Sequence, residues 1–291
     1  MEQTGSRETR LRRVTSRIAT GIAAIAAAVA ASVPAAAEVI NQPQPWQMGM
    51  MPPHGEMAQN MVSFHNGLLW VITIITVFVG ALLLICIFRF NEKKNPNPTR
   101  TSHNTMLEVA WTVIPILILV GIAIPSFRLL REQVIIPEPD IVVKVTGHSW
   151  YWEYEYPEDQ GGFSFISAML ERDEAEAIGQ PYLLAVDNEM VVPVGANVAV
   201  QVTAQGVLHA FALPSFGVKM DAVPGRLNET WFRAEREGIY FGQCSELCGA
   251  GHAFMPIAVR VVSEGAYAEW LDEARAMFAS VDGERQVAAS D

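Results

Sequence analysis

The chain reads as a helical hairpin long enough to span a bilayer, carrying an all-β domain of the sandwich or barrel kind and closed by a C-terminal helix. Three observations predict this. Two long stretches, 67–88 (22 residues) and 109–127 (19 residues), are apolar and hold no charged side chain. Beyond Arg128 the pattern changes to short β-rich runs separated by turn residues, the spacing of a sandwich or barrel. Ser263 then stands ahead of an amphipathic stretch from 264 to about 278 and reads as its helix cap.

The first 37 residues read as an export signal. Arg7, Arg10, Arg12, Arg13 and Arg17 form a basic region ahead of an Ala-rich apolar stretch, and Ala35, Ala36 and Ala37 offer a cleavage site. The mature chain is expected to begin near Glu38, with an uncleaved anchor as the competing reading. Residues 38–130 then hold an N-terminal segment and two spans at about 62–90 and 106–128. At 1.5 Å per residue, each uncharged stretch covers roughly 30 Å, the hydrocarbon thickness of a bilayer. Pro115 and Pro125 lie inside the second span, which a packed membrane helix tolerates. Arg89, Lys93, Lys94 and Arg100 against a single Glu92 in the connecting loop place that loop in the cytoplasm. Both chain ends therefore face outward.

The exported domain, 131–263, begins at a Pro-rich hinge around Pro137 and Pro139. Strand-like runs follow at 141–146, 150–156, 182–186, 190–194, 197–203, 229–234, 238–241 and 257–262. The polar, acidic stretch 158–179 reads as a surface loop with room for a short helix. Residues 264–291 are the C-terminal helix and a tail expected to be disordered after Val281. No internal repeat stands out.

Net charge is −11 over 291 residues, and it is lopsided. Residues 1–130 carry 10 basic and 6 acidic side chains, whereas 131–291 carry 10 and 25. An acidic exported half excludes nucleic acid as its partner and suits a positively charged one, although acidity also serves plain solubility.

The most informative run is Cys244-Ser-Glu-Leu-Cys248-Gly-Ala-Gly-His252-Ala-Phe-Met255, which holds two of the three cysteines. A further imidazole, His209, lies 35 residues before Cys244. Two cysteines in an exported domain can form a disulfide, Cys with His can hold structural zinc, and Met commonly fills a core. Taken together, the five side chains favour copper: thiolate, imidazole and thioether are soft donors. A single blue-copper centre uses one Cys, two His and an axial Met, so this chain has one thiolate too many. Two coppers sharing both sulfurs fit the set, with a backbone carbonyl as the sixth donor.

These residues resemble the dinuclear copper motif of the cytochrome c oxidase subunit II family. The runs Gly217-Val-Lys-Met-Asp221-Ala-Val-Pro-Gly225 and Gly147-His-Ser-Trp150-Tyr-Trp152 are also similar to that family, and the likeness extends from about Pro45 to Phe278. The resemblance implies a cupredoxin-like Greek-key sandwich and copper ligation by His209, Cys244, Cys248, His252, Met255 and the Glu246 carbonyl. It implies that the Glu246 carboxylate faces a Mg or Mn ion shared with subunit I. It assigns electron uptake from cytochrome c to Trp150, docking to Glu155 and Asp187, and the mouth of a proton-uptake path to Glu108 at the cytoplasmic start of the second span. By ordinary helix electrostatics Glu108 could equally be a helix-terminal acid. The implied function is the electron-accepting subunit of a proton-pumping terminal oxidase of the bacterial inner membrane, with oxygen chemistry on subunit I and subunit III as a further partner.

Two positions depart from the family: Gly206 replaces an Asp, and Phe211 replaces a Trp. The first removes a docking charge, and neither is a ligand. Cys86 reads as packing within the first span, while His54, His65, His103 and His148 read as structural or exposed. A membrane-tethered copper carrier would need neither the second span nor Glu108. A quinol oxidase subunit would lack the ligands, and nitrous oxide reductase would need a large further domain.

Overall fold

The computed structural model describes residues 38–288; the export signal expected over 1–37 lies outside them. Strand β1 (Val39–Asn41) precedes the hairpin of α1 (Glu56–Arg89) and α2 (Thr105–Val134). The β domain follows as β2 (Ile141–His148), β3 (Tyr151–Tyr156), β4 (Phe163–Ser167), a short helix α3 (Arg172–Ala177), β5 (Met190–Pro193), β6 (Asn197–Ala204), β7 (His209–Leu213), β8 (Val218–Ala222), β9 (Asn228–Arg233), β10 (Gly238–Cys244) and β11 (Pro256–Val262). Helix α4 (Glu264–Ala288) closes the chain. One sheet runs β5-β11-β10-β7-β8, with β1 pairing in parallel with β10; the other runs β4-β3-β2-β6-β9. This is the two-helix hairpin, sandwich and terminal helix that the sequence pattern predicts, with the Greek-key form that the family resemblance implies.

Both hairpin helices are apolar all round, and their central stretches are unburied by the rest of the chain. Such a surface needs hydrocarbon or another apolar partner. α1 is longer than the expected span. Its 34 residues make a rod of about 51 Å, and its first turns lie against the sandwich, where Met57 and Ala58 are buried. Backbone bonds join His54 N–H to the Ser215 carbonyl (2.9 Å) and Glu235 N–H to the His54 carbonyl (3.3 Å). At the adjoining end of α2, Trp231 donates to the Glu132 carbonyl at 3.1 Å, and Asn60 donates to the Glu132 carboxylate at 3.0 Å.

Period-two alternation explains the sandwich. On β3, Trp152, Tyr154 and Tyr156 point inward and are fully buried, while Glu153 and Glu155 point out. The Tyr156 hydroxyl donates to the Val191 carbonyl (2.7 Å) and accepts from Val191 N–H (3.0 Å), which ties the two sheets together. Glu189, buried beside β5, is paired with Arg260 of β11 and accepts from Gln180 at 2.8 Å.

Several expectations are corrected. The stretch 158–179 is not simply a surface loop: β4 lies within it and pairs along all of its length with β3. Phe163 and Phe165 of β4 are buried against Trp270 and Phe278 of α4. Burying two such rings contributes roughly 3–6 kcal/mol, enough to outweigh the polar character of the flanking residues. Residues 182–186 form a turn with a single bridge, Met169 to Val186, rather than a strand. β1, β7 and β8 were not anticipated. α4 continues past Phe278 to Ala288, through part of the expected disordered tail, and Ser263 caps it by accepting from Ala266 N–H at 3.3 Å.

Candidate metal centre

β7 and β10 are antiparallel neighbours with Cys244 opposite Phe211 and Gln243 opposite Ala212. This register brings the start of β7, with His209, to the same end of the sandwich as the end of β10, with Cys244. Ser245 N–H extends the pairing by donating to the Ala210 carbonyl at 3.0 Å. The chain then turns back through Gly249, whose φ of 116° belongs to glycine, and a short 3₁₀ turn at His252–Phe254 delivers Met255 to the start of β11.

The donors converge. Cys244 Sγ lies 3.8 Å from His209 Nδ1 and 3.3 Å from the Glu246 carbonyl. Cys248 Sγ lies 3.5 Å from His252 Nδ1 and 3.6 Å from Met255 Sδ. The two sulfurs are 3.9 Å apart, far from the ~2.05 Å of a disulfide; both cysteines are free. His209 and the two cysteines form the only His, Cys, Asp or Glu group among the described residues with ligand atoms mutually close enough for a metal, within 4.8 Å. All three, with Met255, are buried. Soft donors at these separations fit copper and leave room for metal between the sulfurs.

Burial governs the protonation of the site. It pushes the Cys248 thiol up to about 11, and neighbouring Cys244 adds to the rise. Burial lowers His209, helped by His148 and His252, which favours the neutral imidazole that ligates metals. Metal binding must therefore displace thiol protons.

Three glycines seat the aromatic frame. A Cβ on Gly147 would lie 3.0 Å from the His209 ring, and one on Gly251 would lie 2.3 Å from the Trp150 indole. At Gly249 the gap to that indole would be 3.2 Å. Trp150, 40% exposed, donates its Nε1–H to the Cys248 carbonyl at 3.1 Å. It thus joins the surface to a residue of the buried cluster. These glycines carry no ligand chemistry of their own and so do not stand out in the sequence, although Cys248-Gly-Ala-Gly-His252 displays two of them. Phe211 is fully buried and packs edge-on against Trp152 at 5.6 Å, so this departure is absorbed as core. Gly206 lies in an exposed turn at φ 84°.

Other candidates sit apart from the ligand cluster. Glu155 is exposed on β3 but bound to Lys144 across the strands at 2.6 Å. Asp187 is exposed and accepts from Ala168 N–H and Asn188 N–H, each at 2.7 Å. Glu246 is exposed. Glu108 is half-buried in the first turn of α2 and accepts from Asn104 N–H at 3.3 Å, while Asn104 caps the helix by accepting from Met106 and Leu107 N–H. His148 is bound to Glu153 at 3.1 Å and stacked on Tyr151; His54 packs edge-on against Tyr240. His65, His103 and Cys86 are exposed.

Comparison with known proteins agrees with this architecture. A family model described as cytochrome c oxidase subunit II, periplasmic domain, matches residues 141–262, and one described as its transmembrane domain matches residues 43–129. A probable cytochrome c oxidase subunit 2 of Rickettsia bellii is 49% identical over 231 residues, covering 79% of this chain and 85% of its own. The cytochrome c oxidase subunit 2 of Cereibacter sphaeroides is 49% identical over 253 residues, covering 82% and 84%. The crystal structure of the periplasmic domain of subunit II of cytochrome oxidase of Bradyrhizobium japonicum is 56% identical over 50% of this chain and 99% of that one, with a TM-score of 0.46. With matched models spanning both hairpin and sandwich, and relatives similar over most of their length, this membrane protein belongs to the cytochrome c oxidase subunit II family.

Proposed function

We propose that the chain is the electron-accepting subunit of a terminal cytochrome c oxidase, with His209, Cys244, Cys248, His252, Met255 and the Glu246 carbonyl holding a pair of copper ions. The observation that carries this reading is the 3.9 Å separation of two buried sulfurs, each flanked by an imidazole. When bound, such a pair would supply one-electron exchange. The protein's part is to keep the donors fixed and dry. Trp150 offers the path inward: its outer face meets a donor protein, and its N–H bonds to the carbonyl of a ligand residue.

In this reading cytochrome c docks over Trp150, drawn by the acidic half of the chain, with Glu155 and Asp187 among the docking carboxylates. Electrons continue to the haem of subunit I, where oxygen is reduced with proton pumping; subunit III completes the partners. The exposed Glu246 carboxylate is free to face a Mg or Mn ion shared with subunit I. The basic loop after Arg89 sets the topology: loop in the cytoplasm, both ends in the periplasm, hairpin in the inner membrane. Glu108 then lies on the side from which protons are drawn.

Anaerobic reconstitution of the full-length chain in detergent tests the centre. Two coppers per chain and a purple, mixed-valence spectrum with the unpaired electron spread over both nuclei are expected. A one-copper blue spectrum, or a Cys244–Cys248 disulfide that persists with copper present, would overturn it.

A further inference from the structure

Outside the ligand cluster, a second group of sulfurs is gathered by the segment that leads into α1. Met48, Met50 and Met51 stand within four residues, and Met61 follows in the second turn of the helix. Methionine ordinarily fills a core, but Met48 is 99% exposed and Met50 44%. Gln47 fixes the turn they occupy: its Nε2 donates to the Gly49 carbonyl (3.4 Å), the Met50 carbonyl (3.3 Å) and Met51 Sδ (3.3 Å). Met50, Met51 and Met61 line one cavity of about 570 Å³ on the flank of the sandwich. Met61 Sδ lies close enough to Gly217 that a Cβ there would be 2.6 Å away.

A second cavity, of about 310 Å³, adjoins the first. Met51, Pro214 and Ser245 line both, and Cys244 lines the second. Met51 thus lines one cavity together with two other thioethers and also lines a second space bounded by Cys244. Thioethers are soft, neutral donors without a proton to lose. They suit monovalent copper and bind hard cations poorly.

We propose that Met50, Met51 and Met61 form a holding site for a cuprous ion and pass that ion to Cys244. The holding site stands on its own; only the destination rests on the copper-pair reading above. In the transfer, copper–thioether bonds break as a copper–thiolate bond forms, the Cys244 thiol proton leaves to water, and the metal remains Cu(I) throughout. Replacement of neutral thioethers by charged thiolate, imidazole and a buried surround sets the direction.

The test uses the full-length chain in detergent. With Cys86, Cys244 and Cys248 all replaced by Ser, anaerobic titration with Cu(I) against a chromophoric cuprous chelator should find one ion per chain, with sulfur neighbours by X-ray absorption. Adding Met50→Leu, Met51→Leu and Met61→Leu, swaps that keep side-chain volume, should abolish that ion. With the cysteines restored, the Met variant should fill its thiols several-fold more slowly at limiting Cu(I), yet reach the same final copper content. A cysteine-free chain that binds no Cu(I), or binds it equally without the three methionines, overturns the site. Equal loading rates overturn the transfer. Thioether binding alongside thiols that never take up a copper pair supports the holding site and overturns the copper-pair reading instead.

Discussion

The sandwich end that carries Cys244 and the far end of α2 that carries Glu108 are opposite in construction. At the first, residues from β2, β7, β10, the β2–β3 turn and the segment between β10 and β11 converge, each held by another: Gly147 under His209, Gly251 under Trp150, the Cys248 carbonyl accepting from the indole. At the second, one half-buried carboxylate accepts from the backbone N–H of Asn104, four residues away. The first arrangement is explained by little other than a site. The second is sufficiently explained as helix capping, and its assignment to proton uptake rests on membrane sidedness. Convergence from distant parts of the chain constrains function much more tightly than position does.

The largest expected effect that would break this contrast is at Gly251. Gly251→Val places a side chain where the Trp150 indole lies, and overpacking of this kind costs about 1–3 kcal/mol. Stopped-flow reduction by cytochrome c should slow severely while copper content stays at two. If electron uptake is unchanged, the indole is not the path. Trp150→Phe comes next, removing the bond to the Cys248 carbonyl but keeping an aromatic ring. Uptake should fall while the half-saturating donor concentration and the copper spectrum hold; a loss of donor affinity instead would make Trp150 a docking residue.

Electrostatic docking offers a smaller effect. Because Lys144 is bound to Glu155, Lys144→Gln should free a carboxylate, raise the association rate with a basic donor and steepen its salt dependence, whereas neutralising Glu155 and Asp187 together should flatten it. The exposed pair itself contributes only about 0.2–1 kcal/mol to stability. Identical salt profiles for both variants would place the docking patch elsewhere. Least is expected of Glu108→Ala: about 0.3–1 kcal/mol of helix stability, copper reduction untouched, and slower oxygen turnover that recovers as bulk proton concentration rises. Full turnover at every pH would leave Glu108 as a cap alone and deepen the contrast between the two ends.

The proposed copper ligands were legible in the sequence because four of the five side chains lie within twelve residues, and their chemistry limits what they can bind. The hairpin was equally legible, since a bilayer sets length and composition directly. What was hidden depends on register. Nothing local says that Lys144 faces Glu155; that follows only from the β2–β3 alignment. Nor did the polar surroundings of Phe163 and Phe165 disclose a strand, because their burial is supplied by α4 from more than a hundred residues away. β7 escaped for a similar reason: all five of its residues are buried, so it lacks the alternation that marks a half-exposed strand.

The stitching of α1 to the sandwich has a consequence for distance. The helix runs without a break from the bilayer to Gly55, where an added Cβ would lie 2.5 Å from the Arg233 carbonyl, and it passes Gly217 with no room to spare. It acts as a mast whose height is set by a count of residues. Electron tunnelling falls steeply with each added ångström, so a redox centre carried on a swinging tether would exchange electrons erratically with anything buried in the membrane. On the proposed reading, the altitude of the centre above the lipid is built into the skeleton, and those two glycines are where the mast is stepped.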